Sequence, residues 1–114
     1  MIQDGIIYLK LSKEFSITPG PRKKEEGKFS GELFLNSLLI PKFQQALKEN
    51  NKLVVDLDGS AGYASSFLDE AFRGLSSKFG KDIVLKNLEI ITNEEPYLYE
   101  EIISYIKESS YEFA

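Results

Sequence analysis

The sequence predicts an α/β domain: about four strands, mixed but largely parallel, covered by three to four helices. Three observations lead there. Leu53-Val54-Val55-Asp56-Leu57 is apolar, β-branched and too short for a helix, which is the mark of a buried strand. Behind it come a glycine-bearing turn at 58–62 and then a helical stripe ending near Gly80. Along the whole chain, strand and helix patterns alternate three times, and such crossovers make strands parallel. At 114 residues and 42% hydrophobic composition, the chain has enough apolar surface for one core, so a single domain over 1–114 is expected.

The elements follow in order. Gly5 to Ser12 reads as a strand that could run on to Phe15-Ser16-Ile17, with Asp4-Gly5 able to turn a small hairpin with Met1-Ile2. Thr18 to Lys28 carries Pro-Gly-Pro, mixed charge and Gly, all loop signals, and is long for a compact domain. Ser30 is placed to cap a helix from Gly31, whose stripe is Leu35, Leu39, Phe43, Ala46 and Leu47. Pro41 interrupts that helix, either as a kink or as the first residue of a second segment. After the central strand, Ser65 or Ser66 should open the next helix, with Ser66 and Asp69 at capping-box spacing. Its stripe is Phe67, Leu68, Ala71, Phe72, Leu75 and Phe79. Ile83 to Thr92 reads as one or two short strands. Asn93 is a candidate cap for a last helix carrying Leu98, Ile102, Tyr105 and Ile106, with Pro96 in its first turn.

Composition excludes several function classes. The chain has no cysteine and no histidine, which removes disulfides, thiolate metal sites and the commonest general base. No cofactor and no metal site is expected. A net charge of −4 disfavours direct nucleic-acid binding. No apolar run approaches a membrane span, so a cytoplasmic protein is expected, with no membrane partner. The charge is uneven, however: seven Glu and one Lys lie from Glu89 onward, whereas basic residues gather between Lys10 and Lys28.

Two motifs separated by the first predicted helix are familiar. Phe15-Ser16, Pro19-Gly20 with Arg22 and Ser30-Gly31-Glu32 form the first. The second is the Asp56/Gly59/Gly62-Tyr63 loop followed by Ser66-Phe67-Leu68-Asp69-Glu70-Ala71-Phe72. Together they resemble the STAS-like domain of unknown function of bacteria and their phages, itself similar to the anti-sigma-factor antagonists. The resemblance implies a small α/β regulatory or protein-interaction domain, non-enzymatic. It also implies a protein partner, such as a histidine-kinase-type ATPase or a serine kinase. In the antagonists, the first serine of an Asp-Ser-Ser-Gly motif is phosphorylated, which switches binding off. Ser65 matches that serine and Ser66 its neighbour, but Ala64 replaces the Asp and Phe67 the Gly. A phosphate there would meet the positive end of a helix, while two capping hydroxyls are the plainer explanation.

The surface this implies is the loop and helix at 58–73, with Asp58, Ser60, Tyr63, Asp69, Glu70 and Arg73, joined by Arg22 from the long loop. Arg22 should reach Asp58, Asp69 or Glu70 if the first and central strands are parallel. Adjacent carboxylates such as Asp69 and Glu70 diverge on a helix, and their ordinary role is to complement the dipole. Lys23 and Lys24 have their charge offset by Glu25 and Glu26. Tyr97, Tyr99, Tyr105 and Tyr111 crowd the last, acidic stretch, where exposed rings would suit an interface. An alternative comes from Asp56-Leu57-Asp58-Gly59-Ser60, which resembles the first motif of haloacid-dehalogenase phosphatases. It implies a small Mg²⁺-dependent phosphate-handling enzyme using Asp56 and Asp58. The short chain lacks the downstream Lys and late acidic pair in the context such an enzyme needs.

Overall fold

The computed structural model describes residues 5–108. The expected Met1-Ile2 hairpin and Tyr111 lie outside the described residues. Three strands, β1 (Ile6–Lys10), β2 (Lys52–Asp56) and β3 (Leu88–Ile91), pair in parallel in the order β1-β2-β3. Among the described residues there is no fourth strand and no antiparallel pair, so the sheet is smaller and more uniform than expected. The register sets Leu9 opposite Val55 and Lys10 opposite Asp56. On the far side it sets Val55 opposite Ile90. Two right-handed crossovers in this order put both helical layers on one face. The core agrees: Leu9, Leu53, Val55, Leu57 and Ile90 pack into one cluster with the helices. Ile6 and Tyr8, on the alternate face, stay exposed.

Among the described residues five helices complete the fold, with a short 3-10 turn at Lys24–Glu26 in the loop before the second. A single turn, α1 (Leu11–Glu14), follows β1 directly and ends the strand sooner than its apolar run suggested. Leu11 is fully buried, and a helical turn lets Phe15 pack edge-on against Phe34. The second helix, α2, runs over residues 31–48. Ser30 caps it as expected, its Oγ accepting from the Leu33 amide at 3.0 Å. The helix is continuous through Pro41, and its last α-helical segment, Ile40–Lys48, carries the proline in its first turn, close to the second-segment alternative. A π-helical turn at Leu35–Leu39 precedes the proline and widens the spiral where the ring would crowd a carbonyl.

The third helix, α3, spans residues 65–79 with its own π turn at Asp69–Arg73. Phe67, Leu68, Ala71, Phe72 and Leu75 are all fully buried, as the stripe predicted. Gly80, at φ +92°, ends it and hands the chain to α4 (Lys81–Asn87). The strand pattern expected from Ile83 is therefore wrong over its first half. Val84 is fully buried from a helix, and Asn87 Nδ2 donates to the Ile83 carbonyl at 2.9 Å, so packing overrides β-branched propensity. The last helix, α5 (Tyr97–Lys107), has Pro96 at its N-cap and no side-chain cap. Asn93 lies too far upstream to cap it, and the preceding bend is closed by Thr92 Oγ1 donating to the Glu95 carbonyl at 2.8 Å. No described helix is long and apolar enough to cross a membrane.

Candidate functional site

The C-terminal edge of the sheet carries two adjoining clusters, one built on the loop after β2 and one on the head of α3. Asp56 ends the central strand and is almost fully buried. Its carboxylate accepts from the Tyr8 hydroxyl, from Lys10 Nζ at 3.2 Å and from the Asp58 amide at 3.0 Å. Burial alone would raise its pKa, but these three donors outweigh it and hold the carboxyl below its ordinary value. Lys10 Nζ also donates to the Asp58 carbonyl, at 3.1 Å. The Asp58 side chain accepts from the Glu94 amide at 2.9 Å, while the Gly59 amide donates to Glu94 Oε1 at 2.8 Å. Gly59 sits at φ +97°, and a Cβ there would lie 2.8 Å from Ser12 Oγ, so a glycine suits the position twice over. Tyr63 closes the loop by donating to the Leu57 carbonyl at 2.8 Å. Burial pushes its phenol up to about 12.

The second cluster joins the long loop to α3. Residues 18–30 form a folded strap. The Gly20 amide donates to the Phe29 carbonyl at 2.9 Å, and a Cβ on Gly20 would lie 2.2 Å from the Lys28 carbonyl oxygen. The amides of Gly31 and Glu32, which open α2, donate to the Pro21 and Arg22 carbonyls at 2.8 and 2.9 Å. Phe29 takes φ +54° at the strap's end and packs edge-on against Phe15. Held this way, Arg22 reaches Asp69 at 3.1 Å and Glu70 at 3.5 Å. The contact expected for Arg22 is made to these two acids, whereas Asp58 is engaged with Glu94. Lys23 is no idle loop charge: its Nζ bonds Glu70 at 3.1 Å. The second oxygen of Asp69 takes Arg73 Nε, and the Arg73 guanidinium lies over the Tyr105 ring, 5.5 Å from its centroid.

Ser65 and Ser66 stand differently from what their spacing suggested. The N-cap of α3 is Ala64, in extended conformation and with no side-chain cap, so neither serine caps the helix. The helix opens at Ser65, one of the two expected positions, so both hydroxyls fall inside its first turn. The capping box is absent as well, since Asp69 is taken by two arginines. Ser65 is exposed, Ser66 half-buried, and the Ser65 hydroxyl neighbours that of Tyr105. Tyr97 and Tyr99 are exposed. Ser60 Oγ is buried beside Tyr63 without a hydrogen bond of good geometry. Sequence reasoning missed Tyr8, Lys10 and Glu94; it weighed Lys23 as a loop charge and Tyr105 as an interface ring, but not their contacts with Glu70 and Arg73. Strand alternation puts Tyr8 and Lys10 on one face, but only the β1–β2 register brings them to Asp56.

Among the described residues no three carboxylates converge in a way that could hold a metal ion. Neither the curated proteins nor the solved structures include a match to this chain. A family profile does match: the STAS-like domain of unknown function (DUF4325), over residues 30–98. That span begins at the α2 cap and runs through β2, the 58–65 loop, α3, α4 and β3 to the first turn of α5, leaving Arg22 and β1 outside it. With more than half of the sequence matched, and a parallel α/β sheet under that match, the chain belongs to the family of STAS-like domains of unknown function.

Proposed function

We propose that this chain is a non-enzymatic regulatory domain that binds another protein through the loop and helix at 58–73, and that Ser65 is its switch. The observation that carries the reading is that Ser65 is exposed in the first turn of α3, with Ala64 as the N-cap in its place. Ser66 is the less accessible of the pair. The surface around it offers Asp69, Glu70 and Arg73 from the helix and Arg22 from the strap. Modification would join the γ-phosphorus of a nucleoside triphosphate to Ser65 Oγ. The hydroxyl proton would leave to a base of the kinase, and the nucleoside diphosphate would depart. The partner suggested by the family resemblance is a histidine-kinase-type ATPase or a serine kinase.

The phosphatase alternative finds less support. A nucleophilic carboxylate needs a free oxygen facing substrate. Asp56 is shielded and bonded through both oxygens, and Asp58 is tied to the Glu94 amide. The test is a pulldown with the ATPase encoded nearest the gene. Ser65→Ala should bind as the unmodified protein does, and Ser65→Asp should bind many-fold less. Equal binding by all three rejects the switch. Mg²⁺-dependent hydrolysis of p-nitrophenyl phosphate, lost in Asp56→Asn, would instead favour the enzyme.

A further inference from the structure

We propose that the strap at 18–30 is an electrostatic latch on the head of α3, and that negative charge at Ser65 tightens it. This rests on the reading of Ser65 as the modified residue, and supplies what modification would do to the domain. Asp69 is the hub. It is shared between an arginine of the strap, Arg22, and one from its own helix, Arg73. Glu70 takes the neighbouring strap cation, Lys23, as well as Arg22. Ser65 is one helical turn before Asp69, four residues away, so the two share a helix face. Arg73 reaches back along that face and covers Tyr105, whose hydroxyl neighbours Ser65.

The sign of the coupling follows from the charges. A dianion at Ser65 makes the head of α3 more negative, just where the strap presents Arg22 and Lys23. It also competes for Arg73. Whatever share of Arg73 it takes leaves Asp69 freer to hold Arg22 with both oxygens, the stronger geometry for a guanidinium. Both effects pull the strap down. The shape of the partner surface then changes with the state of Ser65, because Arg22 is part of that surface. These ion pairs are partly exposed, so salt should weaken the effect.

Hydrogen exchange read on peptides covering 18–30 tests the latch in the full chain. Ser65→Glu should slow exchange there several-fold at low salt, with little change at high salt. Arg22→Gln alone should speed it, and Arg22→Gln combined with Ser65→Glu should show no slowing. Ser65→Asp serves as a second charge mimic if Ser65→Glu folds poorly. Unchanged or faster strap exchange in both mimics overturns the latch, as does slowing that survives Arg22→Gln. Phosphopeptide mapping of the protein from its native cells separates the two ideas. Slowed exchange without a natural phosphopeptide keeps the latch and removes the switch. A phosphopeptide at Ser65 without slowed exchange does the reverse.

Discussion

Asp56 holds a position that most carboxylates avoid, buried at the end of a central strand. It is tolerable there because two donors from β1 and the amide of Asp58, two residues on, converge on it. A carboxyl held below its ordinary value stabilises the fold fully above the unfolded pKa of ~4, and that contribution is lost as pH falls through the folded value. Urea melts run from pH 7 downward should therefore show stability falling below pH ~4. Asp56→Asn should be less stable at neutral pH and should show a shallower acid fall. Parallel curves for the two proteins would remove Asp56 from the account. The aspartate was legible in the sequence as a strand residue or a nucleophile. Its actual partners were not, because Tyr8 and Lys10 lie more than forty residues away and meet it only through strand register.

At the scale of elements, the two long helices meet with very little room. A Cβ on Gly31 would lie 2.6 Å from the Phe67 carbonyl oxygen, so the start of α2 rests directly on the backbone of α3. That oxygen is main chain and cannot rotate away. Gly31→Ala should force the helices apart and destabilise the protein by about 1–3 kcal/mol, as overpacking does, despite the better helix propensity of alanine. Thermal or urea denaturation reads this directly, and a stabilised Gly31→Ala protein would mean that the helices separate freely. The helix stripes themselves were readable from periodicity, and Ser30 from its position ahead of one. The two π turns were not. Each depends on how one helix accommodates the other or its own proline, which no local pattern records.

Across the whole molecule, a single cluster ties sheet to helices. It runs from Leu9, Val55 and Ile90 through Phe34, Phe43 and Phe72 to Leu98 and Ile106. Phe72 is fully buried at its helical layer. Phe72→Ala should cost ~3–5 kcal/mol, a large share of the ~5–15 kcal/mol that holds a domain of this size together. The loss should appear in urea melts as a lower midpoint with the cooperative transition retained. A cost near zero would contradict the packing of α3 on the sheet.

The α/β class, the central strand, the stripes that fill the core and the family were all determined by the sequence alone. The strand and the stripes rest on spacing within one segment, and the class and the family on the order and separation of such segments along the chain. The count of strands, the helix at Lys81–Asn87 and the N-cap of α3 at Ala64 were decided by tertiary structure. So was the meeting of Arg22 with Asp69, which required the strap to fold on itself and the parallel sheet to bring distant loops to one edge. Residue 84 shows why. Its β-branched side chain favours a strand locally, but the free energy of burying it against the core from a helix is larger than that preference.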